Sequence, residues 1–248
     1  MLHTLFKHRS IRKFRSTPIP EEMLQEILEA ASRASTCGNM QLYSLIVSRS
    51  EEVRRELLPC HFGQKMVVEA PCVVTVCADI HRFSKWCSQR DAKPAYDNFA
   101  WFLTATIDAM LAAQNLAIAA EANGLGICYL GTTIYTAGDI VRILELPKGV
   151  IPITTLVIGY PDEKPELTDR LPMDAIVHHE RYTDYSAAEI DELWAEREES
   201  ELTKQLLAEN GLENLAKIFT ERRYVEKDNL AISRSYFALL KERGFLNQ

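Results

Sequence analysis

The feature that most constrains this chain is the run from residue 98 to residue 123, apolar on most of its faces and long enough to cross a bilayer. Asp108 stands near its middle, and Gln114 and Asn115 follow; each is expensive in hydrocarbon. The run is therefore read as a buried core helix, stopped by Gly124 and Gly126. No transmembrane span and no membrane partner are expected. Such a helix serves either a core shared by two subunits or the interior of one, and its pattern leaves both open.

Segments with other periods surround it. Leu24, Ile27, Leu28 and Ala31 recur at helical spacing within residues 20–34, with Glu21 and Glu22 in the first turn, where the helix dipole favours acids. Residues 42–47 read as a strand. Ser48 and Glu51 stand at capping-box spacing and introduce a short helix to about Leu58, and a second short helix is expected over residues 64–69. Residues 73–78 form a β-branched strand, 127–130 a short strand leading into Gly131, and 153–158 a buried strand closed by Gly159 and Pro161. Residues 137–146 form a helix ending before Pro147. Strands alternating with helices imply a mixed α/β or α+β layer fold around one sheet, whose strand order is not readable.

The 248 residues suffice for one large domain or two small ones. A net charge of −7 argues against a nucleic-acid binder, which needs clustered Lys and Arg in excess. None of the six cysteines forms a Cys-x-x-Cys pair and no His lies at zinc-finger spacing, so no metal site is expected. Cys72 and Cys77 read as small buried thiols, and a reduced cytoplasmic protein is the default. The basic start, with Lys7, Arg9, Arg12, Lys13 and Arg15, is similar to a mitochondrial presequence, but a helix pattern follows with no cleavage-like break. Beyond Tyr185 the chain turns acidic. Residues 186–201 carry seven acids against Arg197, with Ile190, Leu193 and Trp194 as a thin apolar stripe, as expected of a solvated or subunit-clasping helix. The division expected is a core over residues 1–185 and a helical extension over 186–248.

The common nucleotide loops, Gly-x-Gly-x-x-Gly and Gly-x-x-x-x-Gly-Lys-Ser/Thr, are missing, as is a Gly-x-Ser-x-Gly elbow. His178 and His179 are adjacent, a poor geometry for joint metal ligation, and His61 reads as a polar loop residue. One constellation stands out. His8-Arg9-Ser10-Ile11-Arg12 packs two guanidiniums, an imidazole and a hydroxyl into five residues, and arginine forks match phosphate geometry. Arg170, in Asp169-Arg170-Leu171-Pro172, is a second loop arginine after a strand. Surface arginines in exposed ion pairs give the same pattern.

The order of motifs resembles the FMN-dependent nitroreductases. The matching residues are His8 to Phe14, then Pro18-Ile19-Pro20 before a helix, and Ala34-Ser35-Thr36-Cys37-Gly38-Asn39-Met40-Gln41 after it. Gly63-Gln64-Lys65, Gly124 to Gly131, and Leu167 to Pro172 look most like the NADPH flavin reductase and oxygen-insensitive nitroreductase branch. The resemblance spans roughly residues 5–180. It implies an α+β fold with a mixed sheet flanked by helices, the long apolar helix at its centre, and a homodimer with flavin at the interface.

The resemblance also implies residue roles. His8, Arg9 and Ser10, with Arg170, hold the FMN phosphate. Arg12 lies near the flavin N1/O2 edge, where negative charge develops on reduction. Ser35, Thr36 and Cys37 line the ribityl chain and ring, and Gln64 bonds the pyrimidine edge. Tyr129, Leu130, Gly131 and Thr132 run past the ring, with a backbone amide towards N5. Two positions depart from the branch: Thr168 stands where a Lys is usual, and Thr132 where a second Gly is usual. The tail matches the branch poorly, and its Arg222-Arg223 pair is the candidate grip for the 2′-phosphate of NADPH.

The activity implied is ping-pong hydride transfer through flavin N5, from NAD(P)H to a nitroaromatic, quinone or free flavin. No side chain is needed as nucleophile or base, because the cofactor carries the chemistry. A flavin-binding carrier or sensor without turnover, and a specialised relative such as a reductive dehalogenase, are the alternatives.

Overall fold

The computed structural model describes residues 2–247. In chain order its elements are α1 (Leu2–Phe6), α2 (Glu21–Ser32), β1 (Tyr43–Ser48), α3 (Glu51–Cys60), α4 (Met66–Glu69), β2 (Cys72–Asp79), α5 (His81–Ser88) and α6 (Phe99–Ala122). There follow β3 (Gly126–Leu130), α7 (Ala137–Ile143), β4 (Val150–Gly159), α8 (Ala187–Glu198), α9 (Glu201–Asn210), α10 (Leu215–Ile218) and α11 (Glu226–Glu242). The chain divides into two compact units, Met1–Leu167 with Arg234–Gln248, and Thr168–Ser233. The boundary thus precedes the expected one at Tyr185, and the last residues return to the core because Leu240 and Phe245 bury against Phe102 and Ile151.

The sheet has the order β1-β2-β4-β3, and every pairing is antiparallel. A single parallel bridge, Ser10↔Ile127, adds the N-terminal arm to its β3 edge. The α+β class holds. β2 is buried along its whole length, which explains why its sequence is a continuous apolar run and not an alternation. Helices cover both faces. On one, α2 and α6 pack against Cys72, Val74, Val76, Leu156 and Ile158. On the other, α3, α4 and α7 pack against Val73, Cys128, Leu130 and Val157.

Several local readings are corrected. The cap of α3 is Ser50, not Ser48, and its side chain makes no cap hydrogen bond; Ser48 ends β1. The helix expected over 64–69 is the single turn α4, and α5 had no periodic signal. Gly124, at φ +77°, closes α6, whereas Gly126 is the first residue of β3. In the second unit α8 carries a full capping box, Ser186 with Glu189. Arg197 there pairs with Asp169 and lies 5.0 Å over the Trp194 ring.

α6 is two-faced. Alanines 105, 109, 112, 113, 117 and 120 lie buried, and their small size lets the helix pack closely on the sheet. Phe99, Leu103, Ile107, Met110 and Leu111 are exposed in the single chain, Ile107 by 60%. The alternative of a helix buried all round within one subunit is thereby excluded.

Asp108 sits on the buried side with 2% exposure. Its Oδ1 accepts the Cys37 N–H at 2.9 Å and its Oδ2 the Leu42 N–H at 3.1 Å. The carboxylate therefore holds the loop after α2, where Gly38, Asn39 and Gln41 adopt positive φ. Asp108→Ala is expected to leave two inward-facing N–H groups without partners and to destabilise the protein by about 3 kcal/mol, with Asp108→Asn losing less. Urea unfolding of the three proteins checks this, and equal midpoints would refute it.

Candidate functional site

The arm from His8 to Phe14 is fixed by backbone bonds to the sheet edge: Ile11 N–H donates to the Ile127 carbonyl at 2.8 Å, and Arg15 N–H to that of Tyr160 at 2.9 Å. Two glycines make the fit possible. A Cβ on Gly126 would stand 2.6 Å from the Ile11 side chain, and one on Gly159 would stand 2.5 Å from Pro71 and 3.0 Å from Phe14. The Glu163 carboxylate accepts from the backbone N–H groups of Arg12 and Lys13. His8 Nδ1 lies 2.7 Å from Glu121.

The arm's side chains divide. Arg9 lines a cavity of about 290 Å³ together with His3, Lys7, Lys164 and Ile11. Its Nη1 reaches only the Lys7 carbonyl, at 3.4 Å, and its Nε is buried with no partner among the described residues. Ser10 and Arg12 lie by Cys128, whose thiol burial pushes up while the Arg12 charge and Ser10 hydroxyl pull it down.

Gln64 and Thr132 both belong to the α3–α7 face, where His61 links them. The turn after α3 places Phe62 and Gly63 at positive φ, and the Gln64 N–H donates to the His61 carbonyl at 3.1 Å. His61 Nδ1 lies 2.9 Å from Thr132 Oγ1, and Thr136 Oγ1 donates to the Cys60 carbonyl at 2.7 Å. His61 is fully buried, and desolvation lowers its pKa from 6.5 to about 4. The reading of His61 as a polar loop residue is corrected. Nothing in its spacing marks it, because its burial comes from α7 and the turn before it folding over the end of α3. A Cβ on Gly131 would meet nothing within 4 Å, so this segment faces open space.

Ser35, Thr36 and Cys37 lie elsewhere, at the end of α2 beside Asp108, on the α2–α6 face of the sheet. Ser35 and Cys37 are exposed. Tyr129 reaches the same face, where its hydroxyl donates to Gln114 at 3.4 Å and burial pushes its phenol pKa up. One chain therefore does not bring Ser35–Cys37 together with Gln64 and Thr132; the sheet lies between them.

The remaining candidates belong to the second unit. Arg170 folds back on its own loop, donating to Thr168 Oγ1 at 2.7 Å and to the Asp169 carbonyl at 2.8 Å. Arg222 and Arg223 close a π-helical turn, Phe219–Arg223, a geometry frequent at functional sites. The Arg223 guanidinium lies 5.5 Å over the Phe219 ring, which stacks in turn on Tyr224.

Comparison with known proteins gives a consistent result. The Nitroreductase family model matches residues 5–160. A Bacillus subtilis (strain 168) protein named FMN reductase (NADPH) is 33% identical over 183 residues, 73% of this chain and 74% of that protein. A crystal structure from Bacteroides fragilis NCTC 9343 has 45% identity and a TM-score of 0.97, over 99% of this chain and 100% of its own. The NADPH:FMN oxidoreductase of Vibrio harveyi, solved with NAD+, has 26% identity and a TM-score of 0.83, over 100% of this chain and 99% of that one. The tail thus has counterparts in solved structures, although its sequence looked unlike the branch.

The His61 environment sets a pH dependence. A histidine whose pKa is depressed by folding contributes stability that is complete above the unfolded value of 6.5 and lost as pH falls towards 4. The loss amounts to about 3 kcal/mol. Urea midpoints measured from pH 7.5 to 4 should fall more steeply for the native protein than for His61→Asn, and parallel curves would show that His61 is not held neutral.

Proposed function

The chain belongs to the nitroreductase family, and from that premise we propose that it is an FMN-dependent NAD(P)H oxidoreductase of the nitroreductase or flavin-reductase type. The observation carrying this reading is the Arg9 guanidinium, which lies in a cavity shared with Lys7, Lys164, Glu121 and Glu163 and has a buried Nε that no described residue satisfies. A phosphate monoester supplies the acceptor such a fork lacks. The open space at Gly131 and the exposed Ser35–Cys37 loop also suit a planar cofactor with polar edges. FMN, when bound, supplies the two-electron exchange, taking a hydride from NAD(P)H and passing electrons to a nitroaromatic, quinone or flavin.

The chain's residues bind and tune it. His8, Arg9 and Ser10 hold the phosphate, and within the second unit Arg170 with Thr168 offers a further guanidinium and hydroxyl, Thr168 standing where a charge is usual. The Arg12 guanidinium stabilises the negative charge that reduction places at the pyrimidine edge. Gln64 bonds that edge, and Tyr129, Leu130, Gly131 and Thr132 run past the ring, with a backbone amide there towards N5. Arg222 and Arg223 take the extra phosphate of NADPH; the ring under Arg223 fixes its guanidinium and keeps its charge available.

The site is completed by a second copy of the chain. Ser35, Thr36 and Cys37 lie across the sheet from Gln64 and Thr132, so a homodimer in which each copy offers one set to the other satisfies both. The exposed stripe from Phe99 to Leu111 runs along the helix that holds the Ser35–Cys37 loop, and each large side chain it buries contributes about 1.5–3 kcal/mol. All six cysteines are free thiols, which supports a reducing, cytoplasmic setting.

Purified protein should be yellow and should bleach when NADPH is added without oxygen. Flavin that stays oxidised with both nicotinamides would replace this reading with that of a carrier or sensor. Ile107→Glu places a charge in the proposed interface; chromatography should show a monomer, and FMN affinity should fall by about tenfold or more. A dimeric variant with undiminished flavin would move the interface elsewhere.

A further inference from the structure

We infer that His61 is a positioning residue, which sets the spacing between two flavin contacts, Gln64 and the Gly131–Thr132 backbone. The inference deepens the flavin reading above and rests on it.

The two contacts lie on separate loops, one after α3 and one after β3. Loops of this kind shift independently unless something ties them, and a flavin needs its pyrimidine and N5 partners at one fixed separation. His61 belongs to the first loop, and its carbonyl holds the Gln64 N–H. Its imidazole crosses to the second and meets Thr132 Oγ1 at 2.9 Å. Thr136, which donates to the Cys60 carbonyl, also lies 3.4 Å from the Thr132 carbonyl through the same hydroxyl. The two loops are thus joined at adjacent residues, Cys60 and His61.

The link explains the departure at Thr132. Where the branch has a second glycine, this chain has a hydroxyl, and a buried imidazole faces it. A glycine there would leave the Nδ1 of a fully buried ring without a partner. The ring's other nitrogen, Nε2, already lacks one among the described residues. An empty acceptor is tolerated in a dry site better than a stranded N–H, which assigns the Nδ1–H tautomer, donating to Thr132 Oγ1. The threonine's own proton is then left for a further acceptor.

The test titrates apoprotein with FMN by fluorescence and measures the midpoint potential of the bound flavin. His61→Leu and Thr132→Val should each weaken FMN by about tenfold and shift the potential in the same direction. The double variant should be no worse than either single one, because both remove the same link. His61→Asn, whose amide reaches the Nδ1 position, should restore native affinity and potential. Should His61→Leu fail to fold, Thr132→Val and His61→Asn still decide. Unchanged affinity and potential in Thr132→Val, losses that multiply in the double variant, or a His61→Asn as impaired as Thr132→Val would each overturn the inference. Native protein that binds no FMN would instead overturn the flavin reading.

Discussion

The Asp108 carboxylate connects this structure's longest helix to its least regular loop. A charge within an apolar helix is tolerated only where its hydrogen bonds are supplied, and here two backbone N–H groups supply them. Those groups bracket residues 37–42, where three positions take left-handed backbone conformations. Leu42, fully buried, and Met40 anchor the end of the loop in the core. The loop's shape is set by a helix that is itself fixed against the sheet by a row of alanines, so packing on one face of the sheet determines a loop on the molecular surface.

The opposite face works differently. There the connecting group is His61, neutral because it is buried and linked to the turn after β3 through a single hydroxyl. Between the two faces lies a central strand with no exposed residue, which keeps the Ser35–Cys37 set and the Gln64–Thr132 set apart within one chain. A site drawing on both would take two chains. The exposed apolar stripe on α6 lies on the helix that carries Asp108, so the surface available for association and the loop it would present are parts of one rigid element.

Much of this was legible before folding. The central strand, the long helix and the β-branched runs follow from period and composition, since strand and helix each impose their own spacing on apolar side chains. Asp108 was visible as an anomaly, although its partners were not. Arg9, Ser10 and Arg12 were legible as a cluster, but not the division of their side chains, with Arg9 in a cavity and Ser10 and Arg12 beside Cys128. Gly126 read as a helix stop, yet the structure uses its missing Cβ to admit Ile11, a contact between residues more than a hundred positions apart.

By itself the sequence determined the class of the fold, most of the elements around the sheet and the family, because these depend on local periodicity and on motifs a few residues long. Tertiary structure decided the rest. It buried His61, which no spacing distinguishes from a surface loop histidine, and so fixed its protonation. It returned the last residues to the core because Phe245 finds its pocket there. It also put the candidate site residues on two faces of one sheet. Which face a loop reaches depends on strand order, and strand order is set by long-range pairing that leaves no trace in local pattern.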